Sequence, residues 1–72
     1  MVMYMKNTIT LNKWMQKHKI DIKRVSRQTG VLEDKMKVST NSPYTAEEFL
    51  NVCAACHIDP ESIFKQTRRD FY

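Results

Sequence analysis

Residues 11–31 read LNKWMQKHKIDIKRVSRQTGV, and the fold turns on whether this stretch is one interrupted helix or two joined by a tight connection. Leu11, Trp14, Met15 and His18 recur at helical spacing, which places them on one face. Thr10 stands just before them, and a threonine hydroxyl accepts well from a first-turn amide, so the helix is expected to start at residue 11. No Gly closes it, and Lys19 must end it ahead of Ile20. Asp21 then caps a second helix, IKRVSRQT, with Val25 inward. Gly30 follows, free to take the left-handed conformation that stops a helix. The stretch therefore reads as two helices and a turn.

Outward from there, Val31 leads into a short third helix, about residues 32–38, with Met36 as its inward residue. TNSPY is a loop, because Asn, Ser and Pro together break helix. Thr45 caps AEEFLNVCAAC, and Glu48 three residues later completes a capping box. Phe49, Val52, Cys53 and Cys56 form its inward stripe. After the connection HID, Asp59 caps a fifth helix that opens on Pro60, where a missing amide costs nothing. Ile63 and Phe64 face inward, and the spacing of KQTRRDFY assigns it no element. Five short helices and no strand follow; a single Gly and two Pro leave few turn residues for a β-rich fold.

The chain has 72 residues, enough for one domain near the lower size limit for a hydrophobic core. Its composition is globular, 42% hydrophobic and 28% charged. No apolar run approaches the roughly 18 residues that span a bilayer, so no membrane partner is expected. The opening MVMYMKNTITLNKW has no cationic region followed by an apolar one, and the two cysteines come without a secretory context. A cytoplasmic protein with reduced thiols is the expectation. The net charge of +4 is lopsided. Residues 6–37 hold nine Lys or Arg against Asp21, Glu33 and Asp34, whereas residues 38–64 hold four acids and no Lys or Arg. A basic first half suits a polyanion, and it equally suits a merely solvated surface.

The pentapeptide CAACH, residues 53–57, matches the attachment signature of a c-type haem. Such a haem is attached outside the cytoplasm and wants a second axial ligand, whereas every Met lies upstream of His57. Zinc could use Cys53, Cys56, His57 and, far back in the chain, His18, but a structural site needs four ligands and only three are clustered. A redox pair belongs at a helix N-terminus, not late in a helix. The simpler reading makes Cys53 and Cys56 core residues and His57 a helix-ending residue with left-handed backbone. On this reading a hydroxyl at position 56 is costly and Cys53→Ala is tolerated. No Ser–His–Asp set, paired catalytic carboxylates or phosphate-cradling Gly loop is present in the pattern, so a non-enzyme is expected.

Residues 10–64 resemble the lambda-repressor-like helix-turn-helix family, of the Cro/repressor or XRE type. Leu11 and Trp14 stand where its first helix has Leu, Ile20 where an apolar residue precedes the cap, and Asp21 where Ser often caps. Val25, Ser26 and Gly30 match its Leu, Ala and turn Gly, and Met36 the apolar centre of its recognition helix. FLNVCAACHIDPESIF resembles the family's closing helix–turn–helix. The resemblance implies a compact five-helix, all-α DNA-binding domain over residues 10–66, with an extension at 1–9 and a tail at 67–72. It implies a transcription regulator that binds double-stranded DNA as a homodimer without a cofactor, helix 32–38 entering the major groove. Lys23, Lys35, Lys37 and Asn41 would hold phosphates, while Glu33, Asp34 and Val38 would face the bases. Ile22, Glu33, Asp34 and Val38 depart from the polar residues usual at those positions, and Leu32 replaces the usual cap. Those departures suit a second reading: the same fold as a protein-interaction module, an antirepressor or partner subunit that does not read DNA.

Overall fold

The computed structural model describes residues 1–71 as four α-helices and one short 3-10 turn. In chain order these are α1 (Met5–Lys17), α2 (Ile22–Thr29), the turn Glu33–Met36, α3 (Ala46–Ala55) and α4 (Pro60–Phe71). The all-α expectation holds; the expected five helices are four, because the third is a single 3-10 turn. Tyr72, the end of the expected tail, lies outside the described residues.

Where the expected caps are local, the helices begin and end as the sequence implies. Asp21 Oδ1 accepts from the Lys23 and Arg24 amides at 3.1 and 3.3 Å. Thr45 and Glu48 form the complete capping box, Thr45 Oγ1 accepting from Glu48 N at 3.1 Å and Glu48 Oε1 from Thr45 N at 2.8 Å. Asp59 Oδ1 accepts from Glu61 N at 3.0 Å, with Pro60 as first residue of α4.

The first helix departs from expectation. It starts at Met5 rather than residue 11, so Thr10 sits inside it and residues 5–9, expected in an extension, are its first turns. Thr8, Ile9 and Thr10 are β-branched, which lowers helix propensity. Long-range contacts override that preference. Thr8 Oγ1 accepts from Tyr44 N at 3.0 Å, and Thr67 Oγ1 donates to Thr10 Oγ1 at 2.8 Å in the buried seam between α1 and α4. The entry to α1 has no side-chain cap and is held by main-chain pairing, Met3 N to Tyr44 O at 2.8 Å and Ala46 N to Met1 O at 2.9 Å. Residues 67–71 of the expected tail continue α4, with Lys6 and Lys13 each placing Nζ 5.8 Å from the Phe71 ring centre.

The core is one cluster of Leu11, Met15, Val25, Val31, Met36, Tyr44, Phe49, Val52, Cys53 and Ile63. Phe64 stacks on Phe49 with ring centres 5.4 Å apart, closing α4 over α3. Burying aliphatic and aromatic side chains of this size supplies about 1.5–3 kcal/mol each before conformational entropy is set against it. The core fixes α2 and the 3-10 turn through Val25, Val31 and Met36, and these elements carry the candidate site.

Candidate nucleic-acid interface

The connection after α2 is locked from several sides. Gly30 takes φ +76°, and its amide donates to Ser26 O at 2.8 Å. A Cβ at Gly30 would meet nothing within 4 Å, so the backbone angle and not space calls for glycine. Ser26 Oγ donates to Val31 O at 2.6 Å, and Thr29 Oγ1 accepts from Val31 N at 3.2 Å. Val31, buried, therefore enters the core at a fixed angle to α2.

With Val25 turned inward, Lys23, Arg24 and Arg27 are exposed along the outer side of α2. Lys19, exposed, lies in the α1–α2 connection. None of these four joins an ion pair among the described residues. They form a basic surface around the helix–turn unit, and such a surface attracts phosphates over about a Debye length.

The element expected to read bases is different. A helix over 32–38 is replaced by one 3-10 turn, Glu33–Met36, after which Lys37 is extended. Its termination has a specific cause. Buried Asn12 on α1 sends its side-chain amide to Lys35 O at 2.7 Å and Lys37 O at 3.0 Å. Those carbonyls are thereby occupied, and the chain turns away. Leu32, before the turn, provides no cap hydrogen bond and is 69% exposed.

The expected contact residues are consequently scattered in character. Lys23 is exposed on α2, and Asn41 is exposed in the loop after the turn. Lys37 is exposed, its Nζ 3.3 Å from the equally exposed Asp34 carboxylate. Glu33 and Val38 are half-buried. Lys35 is turned toward α3, where its Nζ lies 2.7 Å from Glu48 Oε1 in a half-buried ion pair. That contact and the Thr45 amide bond hold the Glu48 carboxyl below its ordinary value. Asn12 went unremarked in the sequence. Extending α1 back to Met5 reveals the signal, since Thr8, Asn12 and Met15 then share the inner face with Leu11.

Beside α2 lies an open groove of about 600 Å³. Ile20, Ile22, Met36 and Val38 line it, with Lys19 and Lys37 at its edge.

The CAACH stretch does not converge on a common ligand. Cys53 is fully buried, Cys56 is half-buried at the C-cap of α3, and His57 is exposed with φ +57°. The left-handed His57 agrees with the sequence reading, whereas Cys56 is less inward than expected. Burial, with Cys56 and Asp59 adding to it, pushes the Cys53 thiol up to about 12, and burial raises Cys56 as well. Among the described residues no three metal-ligating side chains gather in one place. No described helix is long and apolar enough to cross a membrane. No family model matches the chain, and no curated protein or solved structure matches it significantly.

Proposed function

We propose that this chain is a DNA-binding transcription regulator of the lambda-repressor-like helix-turn-helix type. It works in the cytoplasm and holds duplex DNA chiefly through the phosphate backbone. The observation that carries this reading is the row of Lys19, Lys23, Arg24 and Arg27 around a rigidly locked helix–turn, none of them engaged in an ion pair among the described residues. Backbone contacts of this kind set affinity and orientation. Base reading is narrow: a four-residue 3-10 turn extends about 8 Å, little more than two base-pair steps. Glu33 and Asp34 at that turn can accept from cytosine amino groups and repel phosphates. A reader this short needs a second copy for specificity, so a homodimer on paired half-sites belongs to the proposal.

The test is fluorescence anisotropy with a 20-base-pair duplex across a salt series. Binding that weakens steeply between about 50 and 200 mM salt supports the reading. Absence of binding at 50 mM, or indifference to salt, overturns it.

A second reading, a protein-interaction module that does not read DNA, is favoured by the aliphatic groove beside α2 and by the carboxylates of Glu33 and Asp34. Reversing both acids to Lys separates the two readings. Loss of a protein partner with no DNA binding in either form supports the second.

A further inference from the structure

We infer that the groove between the α1–α2 connection and the chain after the 3-10 turn is a docking site for an acidic, aliphatic-rich segment of a partner protein. This stands without the DNA reading, and it gives the protein-interaction reading a site and a ligand chemistry. Ile20, Ile22, Met36 and Val38 form the groove's apolar lining, with Asn12, Gln16 and Ser39 beside them, and Ile20, Ile22 and Val38 remain half-buried. Asn12, which also lines the groove, bonds the Lys35 and Lys37 carbonyls where the chain leaves the turn after Met36. The groove is open, with a volume of about 600 Å³.

Charge decides the partner's character. Lys19 and Lys37 stand at the groove's edge, and Lys23 follows Ile22 on α2. Two acids lie near that edge: Asp34, 3.3 Å from Lys37 Nζ with both side chains well exposed, and the exposed Asp21 between Ile20 and Ile22 in the chain. The balance at the mouth is positive, so it is complementary to carboxylates flanking an apolar side chain. The apolar lining of Ile20, Ile22, Met36 and Val38 is covered by an apolar side chain and gains nothing from a phosphate, which favours a peptide over DNA as the occupant.

Lys19 adds a second observation. It sits at φ +54°, where glycine is the ordinary residue, held by Lys19 N to Gln16 O at 3.2 Å and Ile20 N to Met15 O at 2.9 Å. This helix-ending turn fixes the Lys19 backbone where its side chain lines the groove.

The experiment uses the full chain against random 12-residue peptides displayed on phage, followed by anisotropy with the best enriched peptide. Enrichment of Asp or Glu flanking Leu, Ile or Phe is expected. Ile22→Lys should then weaken that peptide at least tenfold while circular dichroism shows the fold kept. Lys19→Gly should weaken it several-fold while raising the melting temperature, an opposition that mere destabilisation cannot produce. Failure to enrich any peptide, enrichment of basic peptides, or equal binding by Ile22→Lys overturns the proposal. Self-association in light scattering that Ile22→Lys abolishes also overturns it, because a second copy is then the occupant. Duplex binding measured on the same variants reports separately on the DNA reading.

Discussion

The phenol of Tyr44 donates to Asn12 Oδ1 at 2.5 Å across 32 residues of sequence, and both side chains are fully buried. Through it the loop before α3 is tied to α1, and the same Asn12 holds the end of the 3-10 turn through its amide. Burial, with Cys56, Cys53 and Glu48 adding to it, drives the phenol well above the ordinary tyrosine range, so it remains a donor at any physiological pH. One asparagine thus sets the shape of the candidate interface.

Asn12→Ala removes three hydrogen bonds and leaves the Tyr44 phenol and the Lys35 carbonyl without that partner, while Lys37 O keeps its bond from Thr40 N at 3.0 Å. Each buried orphan costs about 1–3 kcal/mol, so the expected loss is about 3 kcal/mol. Tyr44→Phe leaves only Asn12 Oδ1 short of its donor and should cost about 1–2 kcal/mol. Urea unfolding of both singles and the double mutant should show strong non-additivity. Simple addition would mean that the two residues stabilise the fold independently.

Glu48 makes acid stability measurable. Its carboxyl is lowered by the Lys35 side chain first and the Thr45 amide next, from an ordinary value of 4.5. A depressed carboxyl contributes its stability above the unfolded value and loses it as pH falls through the folded one. Glu48→Gln should therefore destabilise the protein at pH 7, and the difference from wild type should shrink steadily below about pH 4.5. An unchanged difference at pH 3 would show that the ion pair with Lys35 contributes nothing.

Two helices end in the six-to-one and five-to-two bond pattern that usually carries glycine at its left-handed residue. In α1 that residue is Lys19, and in α3 it is His57, where His57 N donates to Ala54 O at 3.2 Å and Ile58 N to Cys53 O at 3.0 Å. His57→Gly should stabilise by about 0.5–1 kcal/mol, since relief of left-handed strain outweighs the added chain entropy of glycine. For a domain this small that is a rise of about 2–8 °C in melting temperature by calorimetry. A fall would imply that the exposed imidazole makes a stabilising contact of its own.

What the sequence makes legible here is what neighbours in sequence decide. Asp21, Gly30, the Thr45–Glu48 box, Asp59–Pro60 and the left-handed His57 each act within a few residues, and each stands where local chemistry places it. The misread boundaries are set from far away. Tyr44 and Thr67 hold the β-branched start of α1 in a helix, and Asn12 cuts the third helix short from 23 and 25 residues upstream. The site is the least legible part, because its shape depends on that remote hydrogen bonding; Lys35, a phosphate contact by resemblance, has its Nζ 2.7 Å from Glu48 Oε1.

Cys53 should behave as an inert core residue. Its thiol, raised to about 12 by burial first, is protonated at neutral pH and should alkylate far more slowly than the half-buried Cys56. The unfolded thiol ionises from about pH 9 while the folded one does not, so stability falls as pH rises from there toward 12. Cys53→Ala should lessen that alkaline decline, leaving the part due to the raised Cys56 and Tyr44. Since Cys53 is the fully buried one, Cys53→Ser should cost more than Cys56→Ser, although the sequence alone marks position 56 as the costly place for a hydroxyl. Equal alkylation rates by mass spectrometry would contradict this placement.

The basic side chains divide into two groups whose substitutions should differ in kind. Lys23 and Arg27 are exposed on α2 and outside any ion pair among the described residues. If they sit on phosphates, Lys23→Ala and Arg27→Ala should each lower duplex affinity across all sequences. Each should also reduce the slope of log affinity against log salt by about one, with thermal stability within about 0.5 kcal/mol of wild type. Lys35, in its half-buried ion pair with Glu48, should do the opposite: Lys35→Met should lower stability and leave the salt slope unchanged. A slope reduced by Lys35→Met but not by Lys23→Ala or Arg27→Ala would move the nucleic-acid surface from α2 to the 3-10 turn.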